Sequence, residues 1–196
     1  MFTGIIEAIG EVVHIAENQS NLTFTLKSEI SKELKIDQSV AHNGVCLTVE
    51  EVKGDLYKVT AIKETLTKTN LRYWSIGERV NLERSLTASQ RIDGHFVQGH
   101  VDTVGICKEI RDENGSWVVV VKYEASSPEF FTVNKGSICL NGVSLTVVES
   151  KKSEIQVSII PYTFEHTNFK HIRIGDYVNI EFDILGKYIS ALIQNK

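Results

Sequence analysis

Cysteine is scarce in this sequence. Its three cysteines, Cys46, Cys107 and Cys139, are far apart and never form a Cys-x-x-Cys pair. That argues against a disulfide framework or a thiolate metal site and fits free thiols in a reducing compartment. Long apolar runs are missing too, and nothing approaches the length a membrane crossing needs. The start, from Met1 to Glu7, lacks a basic region, an apolar core and a cleavage site, so a cytoplasmic protein is expected. Positive charge is not in excess: 21 Lys and Arg against 25 Asp and Glu leave a net charge of -4. A nucleic-acid binder carries a basic face, and 8% aromatic residues offer little for base stacking. Also absent are a phosphate-cradling glycine loop, a nucleophile elbow and a dinucleotide fingerprint. What is left is an ordinary globular composition, 42% hydrophobic and 23% charged in 196 residues, enough for one large domain or two small ones.

What is present is a repeat. Val40–Val49 aligns with Ile138–Val147 with six of ten positions identical at an offset of 98, and the same offset carries Thr65, Thr69, Asn70, Gly77, Val80, Asn81 and Glu83 onto Thr163, Thr167, Asn168, Gly175, Val178, Asn179 and Glu181. Phe2, Gly4 and Gly10 echo Phe96, Gly99 and Gly105 after a shift of a few residues. A period this long means domain duplication rather than a solenoid.

Within each copy the local signals are strands. Val-, Thr-, Leu- and Ile-rich runs at 22–27, 46–52, 56–62 and 79–84 recur at 116–123, 144–149, 155–160 and 177–183, separated by turn residues such as Asn43-Gly44 and Asn114-Gly115. Many short strands suggest small closed barrels, which also remove exposed edges. Ser127-Pro128 predicts a short helix over 128–133, and 29–34 and the stretches after Thr65 and Thr163 read as single turns. Ile184, Leu185, Tyr188, Ile189, Leu192 and Ile193 form an apolar stripe at helical spacing. The stripe packs either on its own barrel or on copies of itself.

The segment Asn-Gly-Val-(Cys/Ser)-Leu-Thr-Val carries the chemistry. Asn-Gly offers a tight turn. The following strand alternates, so Cys46 and Thr48 face one side and Leu47 and Val49 the other, as do Ser144 and Thr146 against Leu145 and Val147. A small polar pair beside a turn suits a site for a heterocycle or a polyol, against the plainer reading of barrel packing. His95, His100 and Asp102 invite a metal. A spacing of five puts the two histidines on opposite faces of a strand, however, and no third ligand follows, so no metal is expected and one histidine serves better as an acid or base. Thr65 and Thr163 cap a turn, present a hydroxyl to a ligand, or both. The Ile-Gly-(Glu/Asp)-x-Val-Asn-(Leu/Ile)-Glu segments read as structural.

Taken in order, Met1-Phe2-Thr3-Gly4-Ile5, the 43–49 segment, Gly94–Asp102, the 141–147 segment and the paired Thr69-Asn70 and Thr167-Asn168 closely resemble the riboflavin synthase family of the alpha-chain, trimeric, lumazine-dismutating type. The resemblance runs from Met1 to about Ile184. It implies an all-β chain of two similar six-stranded Greek-key barrels, residues 1–95 and 96–183, with a C-terminal helix in 184–196 that assembles a homotrimer. The implied reaction is the final step of riboflavin biosynthesis. Two molecules of 6,7-dimethyl-8-ribityllumazine exchange a four-carbon unit, giving riboflavin and a ribitylamino-pyrimidinedione without any cofactor. The site lies between the first barrel of one subunit and the second barrel of a neighbour, and an association with lumazine synthase is a further implied partnership.

The resemblance also suggests roles. His100 and Thr146, joined by Ser144, would handle the donor methyl proton; Ser39 or water, with Cys46 nearby, would supply the adding nucleophile. Ligand contacts would come from Gly4, Ile5 and Ile6; Cys46, Leu47 and Thr48; Thr60, Ala61, Ile62, Lys63, Glu64 and Thr65; Gly99, His100 and Val101; Lys135; Ser144, Leu145 and Thr146; and Ser158, Ile159, Ile160, Pro161, Tyr162 and Thr163. One departure is Asn141 where the family usually has Asp. The rivals are a non-catalytic lumazine- or flavin-binding antenna protein, in which one copy's polar site would have decayed, and, more remotely, an oligonucleotide-binding barrel or a flavin reductase barrel.

Overall fold

A computed structural model describes residues 1–194; the last two residues of the expected 184–196 segment lie outside them. β1 (Ala8–Asn18), β2 (Asn21–Lys27), β3 (Ser39–His42), β4 (Val45–Lys53), β5 (Leu56–Ala61) and β6 (Arg79–Arg84) close into barrel 1 in the order β1-β2-β5-β4-β3-β6. β7 (Thr103–Asp112), β8 (Trp117–Lys122), β9 (Ser137–Leu140), β10 (Val143–Lys151), β11 (Glu154–Ile159) and β12 (Tyr177–Phe182) close into barrel 2 in the same order, β7-β8-β11-β10-β9-β12. The eight strands expected from the sequence are all present, with ends within two residues. Missing from that reading were β1, β3, β7 and β9.

Alternation fills each barrel. Val45, Leu47 and Val49 point inward from β4 while Thr48 is exposed; Val143, Leu145 and Val147 do the same from β10 while Thr146 is exposed. Barrel 1 packs around Phe24, Leu26, Val40, Tyr57, Val59 and Leu82, barrel 2 around Val121, Ile138, Leu140, Ile155, Val157 and Ile180. Burying each such side chain contributes about 1.5–3 kcal/mol. Both barrels carry β-bulges at matching places, including one after Val49 and one after Val147.

The barrels meet about a pseudo-twofold axis. Asn43 and Gly44 have φ of 46° and 79°, Asn141 and Gly142 46° and 81°, so both hairpins use the turn with two left-handed residues. The two turns stack: a Cβ on Gly44 would lie 2.9 Å from the Gly142 nitrogen, and one on Gly142 2.7 Å from the Gly44 nitrogen, so only glycine fits. Six buried asparagines bind the junction. Asn81 Nδ2 donates to the Asn141 carbonyl and to Asn168 Oδ1, and Asn179 Nδ2 donates to the Asn43 carbonyl and to Asn70 Oδ1, all at 2.8–2.9 Å. Asn141 Oδ1 accepts from the Asn179 N–H at 2.8 Å and from Asn70 Nδ2 at 3.4 Å. It uses acceptor capacity that an aspartate would also supply.

The helices are short: α1 (Lys63–Lys68), α2 (Pro161–His166) and α3 (Ile184–Gln194). The helix expected over 128–133 does not form. Ser127 Oγ does accept from the Glu129 N–H at 3.3 Å, but Phe130 is drawn onto Phe182, with ring centroids 5.2 Å apart, and Phe131 onto Gly186. Tertiary packing overrides the local signal. Thr65 and Thr163 do not cap a turn either. Their carbonyls accept from the Thr69 and Thr167 hydroxyls at 2.7 Å, and Thr69 and Thr167 cap the 3-10 turns that follow.

Lys187 ties α3 to barrel 2 through Asp102 at 2.7 Å. Ile184, at the start of the apolar stripe, is half-buried, but the rest of the stripe does not pack on its own barrel: Leu185, Tyr188, Ile189, Leu192 and Ile193 are each 56–70% exposed. No helix among the described residues is long and apolar enough to cross a membrane.

Candidate functional site

The outward faces of β4 and β10 carry the repeated polar pairs, Cys46 with Thr48 and Ser144 with Thr146. Ser39 on β3 lies across from Thr48, and Ser137 on β9 across from Thr146. Between β4 and β10 run two crossed segments. The Gly99 carbonyl accepts from the Cys46 N–H at 2.9 Å, and the Gly4 carbonyl accepts from the Ser144 N–H at 2.8 Å. Phe2 and Val97 pair with each other between them. Cys46 and Ser144 are therefore three strand spacings apart, about 14 Å.

The pairing also corrects the repeat alignment. The counterpart of Phe2 is Val97, buried like it, whereas Phe96 is exposed. Gly4 and Gly99 have φ of 78° and 80°, and a Cβ on either would come within 2.7 Å of the Ser144 or the Cys46 Cβ. Left-handed backbone and close approach together require glycine there.

Each segment serves the opposite barrel. Val101 packs against the core of barrel 1 and Ile6 against the core of barrel 2. Two buried carboxylates clamp the segments: Glu83 accepts from the Thr3 and Gly4 N–H groups at 2.6 and 2.9 Å, and Glu181 from the Gln98 and His100 N–H groups at 2.6 and 2.8 Å. Burial raises the pKa of both, against the pull of these hydrogen bonds. In the sequence both glutamates read as part of a closing strand. Their recurrence at the repeat offset was the available signal.

The predicted residues sort by barrel into two sets. Cys46–Thr48, Ser39, Thr60–Thr65 and Gly99–Val101 belong to barrel 1; Ser144–Thr146, Lys135, Ser158–Thr163 and Gly4–Ile6 belong to barrel 2. Four of them are not open to a ligand: alternation turns Leu47 and Ala61 into the core of barrel 1 and Leu145 and Ile159 into that of barrel 2. His100 is thus not brought beside Ser144 and Thr146 within one chain, and its backbone runs next to Cys46. Neither His95 nor His100 lies on a strand. Among the described residues no group of three His, Cys, Asp or Glu could hold a metal ion.

The clefts differ in lining. The bulge after Val49 lifts Glu50, whose carboxylate accepts from Thr60 Oγ1 at 2.9 Å, and Thr60 in turn shares a hydrogen bond with Thr23 at 2.8 Å. The matching bulge of barrel 2 carries Val148, 47% exposed, above Ser158 and Val118. Barrel 2 instead stacks Trp117 on Phe164 of α2, with ring centroids 3.9 Å apart. Its Ser144 Oγ lies 2.7 Å from His95 Nδ1. Lys135, at φ 66°, stands where barrel 1 has Asp37 at φ 70°. Sequence reasoning passed over Glu50, because the bulge that aims it leaves no mark in the pattern. A separate cleft of about 660 Å³ follows the asparagine junction, lined by Tyr73, Glu78, Arg79, His171 and Asp176 among others. None of the predicted residues lines it.

A lumazine binding domain model matches residues 3–85 and again 98–183. The riboflavin synthase of Actinobacillus pleuropneumoniae is 37% identical, over 100% of this chain and 91% of its own length. That of Bacillus subtilis is 36% identical over 96% and 88%, and that of Saccharomyces cerevisiae 36% over 98% and 86%. Among solved structures, LumP complexed with 6,7-dimethyl-8-(1'-D-ribityl) lumazine matches with a TM-score of 0.84 over 93% of this chain and 99% of that one, and LumP complexed with riboflavin with 0.85 over 92% and 98%. At 23% identity both show likeness of fold.

Proposed function

The chain belongs to the riboflavin synthase family, and we propose that it passes a four-carbon unit between two molecules of 6,7-dimethyl-8-ribityllumazine, giving riboflavin and a ribitylamino-pyrimidinedione. The observation that carries this is the survival of both outward polar faces, each bordered by the segment that crosses from the other barrel. Donor and acceptor are the same compound, so two similar clefts are what the reaction needs. A binding protein needs only one.

The spacing says how the clefts are used. Bond formation requires reacting atoms about 3–3.5 Å apart, and Cys46 and Ser144 of one chain are about 14 Å apart by strand spacing. This spacing supports a working site formed by barrel 1 of one copy facing barrel 2 of another. The exposed stripe on α3 is the surface that would hold such copies together as a trimer. In that arrangement His100 of one copy meets Thr146 and Ser144 of the next, and they remove the proton from the C7 methyl group of the donor. Ser39, or a water beside it and Cys46, adds to C7 of the acceptor ring. Holding the two rings in register supplies much of the rate. The free, half-buried or buried thiols fit the cytoplasm.

Mixing the protein with the dimethyl-ribityllumazine and following absorbance tests the function. Riboflavin should appear with half as many molecules formed as substrate consumed. Tight binding without turnover would mark an antenna protein instead.

A further inference from the structure

We propose that His95 is a positioning residue that works through Ser144, accepting the hydroxyl proton as Ser144 takes one from the donor's C7 methyl group. Ser144 Oγ and His95 Nδ1 are 2.7 Å apart. The histidine is fixed on its backbone as well, because its N–H donates to the Thr3 carbonyl at 3.1 Å. The residue before it is glycine by necessity: a Cβ on Gly94 would lie 2.1 Å from the Thr3 oxygen and 2.8 Å from the Ser144 Cβ. Ser144 is fixed too, its N–H bound to the Gly4 carbonyl. Both partners thus sit on backbone that is tied down, as a proton relay requires.

A serine hydroxyl alone is a poor base. With a neutral imidazole behind it, one proton moves from the methyl carbon to Ser144 Oγ while the hydroxyl proton moves to His95 Nδ1. The net products are a carbanion delocalised into the ring and an imidazolium, and the reverse transfer returns the proton. Burial lowers the His95 pKa and keeps the imidazole neutral as the acceptor. Asp183, the residue after β12, is the charged group that bears on it, and it favours the imidazolium once formed. Among the described residues no imidazole is hydrogen-bonded to Cys46, so the relay belongs to barrel 2 and makes it the half that handles the donor proton.

The relay rests on the reading of Ser144 as a proton-handling group, and its test separates the two. The pH profile of kcat is measured at saturating dimethyl-ribityllumazine for wild type, His95→Asn, Ser144→Ala and the double variant. Asn keeps a hydrogen-bonding group near the Nδ1 position but does not titrate, and riboflavin binding checks that each variant is folded. Wild type should lose activity on an acid limb lying below the ordinary imidazole value of about 6.5, because burial lowers the His95 pKa. His95→Asn should lose the limb and about 10- to 100-fold in kcat, and the double variant should be no worse than Ser144→Ala. A His95→Asn enzyme that keeps the limb and stays within about twofold of wild type would overturn the relay, since a mere strut tolerates Asn. Additive losses in the double variant would overturn it as well. An NMR titration of His95 in wild type and Ser144→Ala needs no turnover. An imidazole whose pKa and Nδ1 shift ignore the loss of the hydroxyl would also overturn it, whereas a wild type that binds but never turns over counts against the enzyme reading alone.

Discussion

Barrel 1 and barrel 2 share strand order, bulges, turns, clamps and the outward Ser39–Thr48 and Ser137–Thr146 pairs, yet the groups around those pairs differ. Barrel 1 has Glu50, Thr60 and Thr23 in one hydrogen-bonded row; barrel 2 has Val148, Ser158 and Val118 at the matching positions. Barrel 2 has the His95–Ser144 pair and the Trp117–Phe164 stack. The interiors differ as well. Buried His42 and Tyr57 are hydrogen-bonded at 2.8 Å in barrel 1, where barrel 2 has Leu140 and Ile155. Duplication preserved the scaffold and released the linings to diverge, which is the pattern expected when two copies divide one reaction between them.

The largest effect should come from blocking one cleft at a time. Thr48 and Thr146 are exposed and point outward, so Thr48→Trp or Thr146→Trp should fold normally. Each should lower turnover by about 100-fold or more, the scale of a misplaced ring. Each should also remove riboflavin binding from one barrel only, read by equilibrium titration; loss of binding in both barrels would erase the distinction between them.

Acid should separate the interiors. Burial lowers the pKa of His42 from its usual 6.5 to about 4. The unfolded chain therefore binds this proton more readily than the folded one. Stability from the neutral form is complete above about pH 6.5 and is lost as pH falls toward 4, by roughly 3 kcal/mol in all. Barrel 1 should loosen first. Each barrel has its own reporter, Trp74 in barrel 1 and Trp117 in barrel 2, so Trp117→Phe and Trp74→Phe isolate the two signals. His42→Leu with Tyr57→Phe should bring the acid transitions of the two barrels closer together.

A smaller effect concerns the polyol. The Glu50 carboxylate can accept from ribityl hydroxyls, and a hydrogen bond to a charged group is worth about 1.5–3 kcal/mol. Glu50→Val should weaken riboflavin at barrel 1 by about tenfold and leave lumiflavin, the same ring with a methyl group in place of the polyol, unchanged. Equal weakening of both ligands would assign Glu50 to the ring instead of the chain.

Much of this architecture was legible beforehand. The repeat was visible because Asn-Gly turns and inward valines are fixed by backbone geometry and packing, and the same constraints act in both copies. Four strands were not. β3 and β9 have only four residues each, and β1 and β7 are broken by bulges that spoil strict alternation. The candidate residues were legible as a set but not as two sets. Their sorting depends on segments that cross between the barrels, and a crossing leaves no local pattern. Glu83, Glu181 and the His95–Ser144 contact depend on the same crossing.

The central claim is that a working site takes barrel 1 from one copy and barrel 2 from another. Mixed, co-refolded Thr48→Trp and Thr146→Trp chains test it most directly, each having lost its own turnover. Random assembly pairs an intact barrel 1 with an intact barrel 2 in about a quarter of the interfaces, so the mixture should regain about a quarter of wild-type turnover. A mixture no more active than its two parents would contradict the account and return the site to a single chain.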